Sequence, residues 1–219
     1  MKVIAMAARK GGCGKTTLTT HLAVAGVQNG KRVAIIDLDP QSTAAEWSDG
    51  RGDDPPDVIS TQPTRLGKVL AGMGDGYDLV LIDTPPTTGE ADRLAIEAAN
   101  LVLIPTRIQT SDIAAVLRSV ERAAGQEKPT FVVFNDESAA RRKSVAEETR
   151  RVLGTKGIEV APQIIHSRVV YGESQDVSRT ALETDPTSTA AVEIRSLYEW
   201  VVQQLNGKAT KPQKRKTGA

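Results

Sequence analysis

Short apolar runs alternate along the chain with longer segments in which apolar residues recur at helical spacing. Several of the short runs are apolar at nearly every position, which is typical of parallel strands covered by helices on both faces. We predict strands at residues 3–7, 32–36, 79–82, 101–104, 130–134 and 160–165. Helices are predicted at residues 15–28, 40–47, 65–73, 90–99, 111–124, 139–153 and 187–205.

This alternation predicts a doubly wound α/β fold, with a mainly parallel sheet and helices on both faces. No internal repeat and no long linker interrupts the pattern, so residues 1–205 are expected to form one domain. Ligands of such folds bind beyond the carboxyl ends of the strands. Chemistry is therefore expected in the loops that follow residues 7, 36, 82, 104 and 134.

The composition is that of an ordinary globular protein, with 39% hydrophobic and 25% charged residues among 219. Aromatic residues make up only 3%, which disfavours a surface of stacked aromatic side chains for bases or sugars. The single cysteine, Cys13, excludes an internal disulfide and a metal site built from several cysteines of one chain. No apolar run reaches the ~20 residues of a membrane span. Because Arg9 and Lys10 end a short first apolar run, no signal peptide is expected, and we expect a cytoplasmic protein without a membrane partner.

The charge is uneven along the chain, although the net charge is only +1. Residues 206–219 contain no acidic residue and no large apolar residue, so we predict a disordered basic tail. Its cationic residues are Lys208, Lys211, Lys214, Arg215 and Lys216. Two interpretations stay open: a solubilising tail or vector remnant, and an arm that binds a polyanion such as DNA.

The first of the expected functional loops contains RKGGCGKTT, residues 9–17, between a strand and a helix. Glycines let successive backbone N–H groups turn toward a phosphate chain, and the helix N-terminus adds its dipole. Lys15 would reach the terminal phosphates, and the Thr16 hydroxyl would bind Mg²⁺. The strict P-loop pattern requires a glycine where this chain has Arg9, so the match is close but incomplete.

The departure from the strict pattern is informative, because Lys10 stands directly before the paired glycines. KGGCGKT resembles the deviant Walker A motif of the ParA/MinD superfamily of ATPases, and residues 1–205 as a whole resemble its small ParA-type (ParF-like) members. The resemblance implies that Lys10 reaches the ATP of a partner subunit in a nucleotide-sandwich dimer, where a cation neutralises charge on the transferred phosphoryl group. It implies a set of nucleotide-binding residues: Lys10, Gly11, Gly12, Cys13, Gly14, Lys15, Thr16, Thr17 and Asn135.

The second loop begins with Asp37 and continues to Asp39 and Pro40. Asp followed by Pro is a good start for a helix, so capping is one interpretation of Asp39. The D-x-D-P-Q pattern also resembles the switch I segment of ParA-type proteins. That resemblance implies that Asp39 is catalytic, orienting or activating the attacking water, together with Lys10 and Lys15. Asp37 would support the Mg²⁺ region.

The third loop follows an apolar strand that ends in Asp83, which fits a Walker B carboxylate for Mg²⁺. The implied metal ligands are therefore Thr16, Asp37 and Asp83. GTPase-like switches carry a glycine three residues after this aspartate, but here the residue is Pro86, which has no N–H to donate. The Asp-Thr-Pro-Pro run instead resembles the switch II segment of ParA-type proteins.

ATP is favoured over GTP because the guanine-specific N-K-x-D signature is absent after the fifth predicted strand. Asn135 is either an adenine contact, as the family implies, or a turn residue at a strand end. Residues 164–175 resemble the late segment of ParA-type proteins near the nucleotide and the dimer interface. Arg168 is the candidate functional and DNA-binding residue there, and His166 is interpreted as a bystander. The run 141–143 is basic and favours either a solvated face or an anionic partner.

The resemblance implies a function in DNA partitioning, of a plasmid or a chromosome. ATP with Mg²⁺ would drive homodimerisation, the dimer would bind DNA without sequence preference and associate with the nucleoid, and a ParB-like partner would stimulate hydrolysis. Three alternatives stay open. A MinD-like positioning ATPase needs an amphipathic carboxyl-terminal helix, which the tail lacks. A biosynthetic ligase of the dethiobiotin or cobyrinate type would not need Lys10. The third is a regulator that binds nucleotide without hydrolysing it.

Overall fold

The structure, a computed structural model, describes residues 1–8, 10–86, 89–108, 110–137 and 143–207. In these residues seven parallel strands form one sheet in the order β3-β2-β4-β1-β5-β6-β7. The strands are β1 Lys2–Met6, β2 Val33–Asp37, β3 Asp57–Ser60, β4 Leu79–Asp83, β5 Leu101–Thr106, β6 Thr130–Glu137 and β7 Glu159–His166.

The helices of the described residues form two layers, one on each face of the sheet. They are α1 Lys15–Gln28, α2 Thr43–Asp49, α3 Leu66–Met73, α4 Glu90–Ala98, α5 Thr110–Ala124, α6 Lys143–Thr155, α7 Val169–Asp176, α8 Ala181–Thr184 and α9 Thr189–Leu205. A single 3₁₀ turn, Pro63–Arg65, leads into α3. This architecture confirms the predicted doubly wound α/β fold.

Two apolar cores hold the layers to the sheet, because alternate residues of each strand face opposite sides. Ile4 and Met6 of β1 pack with α1, α2, α8 and α9, whereas Val3 and Ala5 pack with α3, α4, α5 and α6. Strands β1, β2, β4 and β5 are buried almost throughout. Burial of both faces explains why these strands are apolar at nearly every position.

The sequence missed one strand and two helices. β3 is a short edge strand with exposed ends and only half-buried apolar residues, so it lacks the apolar run that marks the others. No element was predicted at α7 or α8, because α7 mixes polar residues with the exposed Val169 and α8 is only four residues long. The predicted helix 139–153 is seen from Lys143, and residues 138–142, with Arg141 and Arg142, lie outside the described residues.

Among the residues that the structure describes, no helix is both long and apolar enough to cross a membrane. α9 ends at Leu205, where the sequence predicted the end of the domain. The five cationic residues of the predicted tail lie beyond the described residues, so that tail stays a prediction.

His21 joins α1 to the start of α8. Its Nδ1 lies 2.7 Å from the Thr17 carbonyl oxygen, and the backbone N–H of Ala181 donates to its Nε2 at 3.1 Å. The imidazole must therefore be neutral, with its proton on Nδ1. Complete burial lowers the pKa of His21 to about 4, from an ordinary value of 6.5. This histidine is a fixed part of the interior rather than a surface base.

We predict that His21 destabilises the fold as the pH falls from 6.5 toward 4. In that window the unfolded histidine binds a proton and the folded one does not, which costs up to roughly 3 kcal/mol of unfolding free energy. His21→Gln should be less stable than the wild type near neutral pH, but it should lose this part of the pH dependence. Urea denaturation at several pH values measures the difference between the two proteins. An equal pH dependence in both would contradict the prediction.

Candidate functional site

The loop between β1 and α1 has the backbone that a phosphate cradle needs. Gly12 and Gly14 have φ angles of 68° and 83°, a region that favours glycine. A Cβ built on Gly14 would lie 1.9 Å from Nδ2 of Asn135. No acidic side chain occupies the first turn of α1, so its N-terminal dipole is available to an anion.

Lys15 and Thr16 lie where the sequence predicted them, at the start of α1. Lys15 is buried, and its Nζ donates to the carbonyl oxygen of Ala8 at 3.2 Å. A neutral carbonyl leaves the ammonium charge available to phosphate. The Thr16 hydroxyl donates to Oδ2 of Asp83 at 2.6 Å. The phosphate loop and the end of β4 are therefore in direct contact.

Asp37 and Asp83 are neighbours at the carboxyl edge of the sheet, since they are paired in the register of β2 and β4. Burial raises the pKa of Asp83 to about 7, and the Asp37 charge adds to this, while the Thr16 hydrogen bond opposes it. Oδ1 of Asp83 is buried and has no hydrogen-bond partner among the residues that the structure describes. A hard cation would satisfy this oxygen, so the residues fit Mg²⁺.

Asp83 and Thr16 are too few to enclose a metal ion. In the part of the chain that the structure describes, no three His, Cys, Asp or Glu side chains converge into a metal site. Mg²⁺ commonly binds with one or two protein ligands, several waters and phosphate oxygens. A cation at Asp83 therefore needs the phosphates of a nucleotide to complete its coordination.

Asp37 has a second task that the sequence did not reveal. Its Oδ1 accepts the N–H of Asp39 at 2.9 Å, and its Oδ2 accepts those of Ala44 and Ala45 at 3.1 and 3.3 Å. Burial raises the pKa of Asp37, and these hydrogen bonds oppose the shift. Asp37 thus anchors the start of α2 beside Asp83, and its implied role near Mg²⁺ stays a prediction.

The helix start predicted at Asp39 and Pro40 is wrong, because α2 begins at Thr43. Asp39 accepts the N–H of Gln41 at 3.0 Å within a turn. It is half-buried and borders an open cleft of about 410 Å³ with Asp37 and residues 60–63. Lys10 is exposed on the phosphate loop. Their catalytic roles stay predictions.

A second cleft, of about 210 Å³, opens on the other side of the phosphate loop. Its walls come from the loop and from the ends of β5, β6 and β7: Gly12, Gly14, Thr17, Arg107, Asn135, His166, Ser167, Arg168 and Tyr171. This cleft adjoins the phosphate cradle and has room for part of a nucleoside. Arg107 and Tyr171 were not singled out by the sequence, because single residues after a strand carry no distinguishing pattern.

Asn135 holds the phosphate loop in place. It lies within β6 rather than in a turn, so the turn interpretation is wrong. Its Nδ2 donates to the carbonyl oxygen of Cys13 at 2.8 Å. Cys13 is itself buried, which raises the pKa of its thiol, so the side chain packs as a protonated thiol. Asn135 lines the second cleft as well, and its adenine contact stays a prediction.

Glu193 of α9 organises the far wall of the second cleft. Its Oε1 lies 2.8 Å from Nδ1 of His166 and accepts from Nη2 of Arg168 at 2.7 Å. The hydrogen bond from Arg168 to Glu193 raises the pKa of this arginine. Arg168 is therefore fixed beside the cleft, and its predicted contact with DNA is not tested by this placement. His166 is part of the same wall, and its interpretation as a bystander stays a prediction.

Fold and site together define a P-loop nucleotide-binding domain with carboxylates at two adjacent strand ends. Residues 4–178 match the CobQ/CobB/MinD/ParA nucleotide binding domain family, CbiA, and the chain belongs to this family of nucleotide-binding ATPases. The resemblance inferred from KGGCGKT is thereby confirmed at the level of the superfamily.

Individual relatives cover most of the chain. Maintenance of carboxysome distribution protein A of Gloeobacter kilaueensis is 33% identical over 159 residues, which span 72% of this chain and 73% of that protein. The chromosome-partitioning ATPase Soj of Thermus thermophilus is 28% identical over 243 residues, which span 92% and 96% of the two proteins.

Solved structures share the fold at lower identity. The cell division ATPase MinD of Pyrococcus furiosus has a TM-score of 0.77 at 19% identity, covering 93% of this chain and 99% of that one. Cobyrinic acid a,c-diamide synthase of Mycobacterium smegmatis, solved with an ATP analogue and magnesium, has a TM-score of 0.73 at 18% identity, covering 95% and 96%. ATP and Mg²⁺, the cofactors expected from the sequence, agree with this family.

We predict that Gly14→Ala strongly weakens nucleotide binding. The added Cβ would enter the position of the Asn135 amide, and the backbone angle disfavours any side chain. ATP affinity should fall by at least about tenfold, as measured with a fluorescent ATP analogue. Gly72→Ala is the matched control, because a Cβ there, on the exposed face of α3, meets nothing within 4 Å. Equal affinity in the two variants would contradict this account of the loop.

Asp83→Asn should stabilise the ligand-free protein at about pH 8 while removing the Mg²⁺ dependence of ATP binding. The raised pKa means that folding binds a proton, so wild-type stability falls as the pH rises from 3.8 to about 7. Asparagine escapes this penalty, so its advantage should be less than half as large at about pH 5 and should vanish only below pH 3.8. Thermal unfolding at the two pH values measures the effect. Asp78→Asn is the control, since its exposed carboxylate pairs with Arg32 and should show no such advantage.

Proposed function

We propose that this chain is a DNA-partitioning ATPase that dimerises on ATP. The observation that carries the proposal is the contact of Thr16 with Asp83, which joins a lysine-led phosphate loop to a buried carboxylate with one oxygen unpartnered. Similarity to a chromosome-partitioning ATPase over 92% of this chain supports the assignment to segregation.

Each part of the site has one task in this cycle. The phosphate loop, Lys15 and the N-terminus of α1 hold the phosphates, while Thr16 and Asp83 hold Mg²⁺, which supplies charge neutralisation. Asp39 orients a water whose oxygen attacks the γ-phosphorus as the bond to the β–γ bridging oxygen breaks, releasing ADP and phosphate. Lys10 of each protomer adds positive charge at the partner's nucleotide. Hydrolysis then depends mainly on positioning.

DNA is the proposed surface on which the ATP-bound dimer moves. The lysines and arginine of residues 208–219, together with Arg168, would contact phosphates, which makes binding independent of sequence and sensitive to salt. The ATP-bound dimer would thus associate with the nucleoid, and a ParB-like partner would stimulate hydrolysis and release. The first candidate cargo is DNA itself, as a plasmid or a chromosome.

A protein body is a second candidate cargo. The relative at 33% identity is named for carboxysome distribution, so the same ATP cycle would position a protein assembly over DNA. This alternative leaves the nucleotide chemistry and the DNA surface unchanged. Isolation of partners on immobilised ATP-bound dimer separates the two: a centromere-binding protein supports segregation of DNA, and a shell or adaptor protein supports a protein cargo.

Nonspecific duplex DNA should stimulate the ATPase activity of the protein or bind its ATP-bound form. We predict that ATP-dependent co-sedimentation with DNA is strong at about 50 mM salt and falls by at least about tenfold at about 200 mM. ATPase turnover is measured in the same samples with and without DNA. Indifference to DNA at both salt concentrations, together with turnover that needs a small organic acid, would overturn partitioning in favour of a ligase.

Asp39→Ala should trap the dimer. Removal of the carboxylate that orients water leaves ATP and Mg²⁺ binding intact, so the variant should elute as a dimer with ATP and hydrolyse it at least about a hundredfold more slowly. Size-exclusion chromatography with light scattering gives the mass. Lys10→Ala is the companion variant, which should bind ATP but stay monomeric. A monomeric Asp39→Ala protein at saturating ATP would contradict the dimer.

A further inference from the structure

A buried polar clamp ties α2 to the segment that follows α7. Arg51, which follows α2, donates through Nη1 to the Ser178 carbonyl oxygen at 3.0 Å and to Oε2 of Glu183 at 3.1 Å. Through Nη2 it donates to Oε1 of Glu183 at 2.8 Å and to the Pro55 carbonyl oxygen at 2.7 Å. The Arg51 side chain is only 2% exposed. One guanidinium therefore joins three segments of the chain.

Trp47 extends the same clamp from within α2. Its Nε1 donates to the Arg179 carbonyl oxygen at 3.1 Å, and the Arg51 guanidinium lies 4.5 Å from the centre of its ring. A Cβ on Gly50 would lie 2.1 Å from the Ser178 hydroxyl, so the Ser178 side chain packs closely against the backbone at Gly50. α2 is thus held at its carboxyl end by residues 178–183.

Both sides of the clamp lead to the nucleotide site. On one side, the start of α2 is bound by Asp37, which also accepts the N–H of Asp39. On the other, Ala181 is bonded to His21, whose ring packs edge-on against Tyr171 at 5.0 Å. Tyr171 lines the second cleft, and Asp39 borders the first.

We propose that Arg51 is a positioning residue for nucleotide turnover, which fixes α2 and with it the Asp37–Asp39 segment relative to the cleft wall that carries Tyr171. The inference rests on the proposed ATPase activity. Arg51 touches neither cleft, so its effect on Asp39 is indirect and reaches the site through the helix. Loss of the clamp should therefore affect turnover much more than nucleotide affinity, since the phosphate cradle on α1 stays intact.

Arg51→Met tests this role, because methionine keeps an apolar stem but donates no hydrogen bond. We expect a folded protein with ATP affinity within about threefold of the wild type and kcat lower by at least about tenfold. Arg51→Lys should recover part of kcat through its pairing with Glu183. Arg32→Met is the matched control, since it removes an exposed bidentate pair with Asp78 at the amino ends of β2 and β4 and leaves every hydrogen bond of Arg51 in place. Its kcat should equal that of the wild type.

A second measurement does not depend on turnover. Trp47 becomes the sole tryptophan in a Trp200→Phe protein, and its emission should change when ATP and Mg²⁺ bind. Glu183→Gln removes the charge of the Arg51 partner but keeps the shape of its side chain, so it should weaken the clamp and reduce this change by at least about half. Arg32→Met in the same background should leave it unaltered.

The outcomes separate this inference from the proposed function. A folded Arg51→Met protein with wild-type kcat, or losses of kcat and affinity in proportion to the unfolded fraction, would overturn the positioning role alone. If Arg51→Met does not fold, the Glu183→Gln variant tests the positioning role instead, through its change in Trp47 emission when ATP and Mg²⁺ bind. A wild-type chain that binds ATP without turning it over would overturn the ATPase proposal. ATP binding without any change in Trp47 emission would overturn the positioning role in either case.

Discussion

Two carboxylates buried side by side are the constraint around which the site is built. Asp37 and Asp83 end adjacent strands at paired positions, and each is only 1% exposed. Burying like charges together is costly unless each is hydrogen-bonded or neutralised. Three backbone N–H groups offset the cost at Asp37, whereas within the described part of the chain the Asp83 carboxylate accepts a hydrogen bond only from the Thr16 hydroxyl. The buried charge of Asp83 is therefore only partly compensated, which favours binding of a cation. A bound cation in turn favours binding of a polyphosphate.

The same constraint organises the structure around the carboxylates. The amides that begin α2 donate hydrogen bonds to the Asp37 carboxylate, so the direction of this helix depends on the buried charge. Asp83 is linked to Thr16, so the first turn of α1 is tied to the end of β4. Without either contact, one helix would be misplaced and the site would bind its ligand more weakly. The carboxylates are thus structural and functional groups at once.

Local patterns allowed much of this to be predicted. Continuous apolar runs identify buried parallel strands, and a glycine-rich loop between strand and helix identifies the phosphate cradle with Lys15 and Thr16. Asp83 was found because an acidic residue ends such a run. Capping was one of two interpretations of Asp39, because Asp followed by Pro is a strong local signal, but α2 begins at Thr43 and its amides donate to the buried Asp37.

The remaining features depend on contacts between distant segments. The Asn135 amide meets the Cys13 carbonyl across 122 positions of sequence, and Arg51 meets Glu183 across 132. Neither contact leaves a periodicity or motif that could be recognised beforehand, because each is created by the packing of elements in the fold. Short edge strands such as β3 and polar helices such as α7 escape detection for a related reason: little of their surface is buried.

Stability alone does not explain a buried ion pair such as that of Arg51 and Glu183. Removing both charges from water costs about as much as their attraction returns, and apolar residues of equal volume often serve as well. An apolar side chain would fill the space beneath Trp47, but it could not bind Ser178, Pro55 and Glu183 together. What the guanidinium adds is a fixed geometry among segments on both sides of the phosphate loop. Hydrolysis depends on placing a water within a fraction of an ångström. A charged clamp therefore contributes more to turnover than an apolar side chain, because it fixes this geometry.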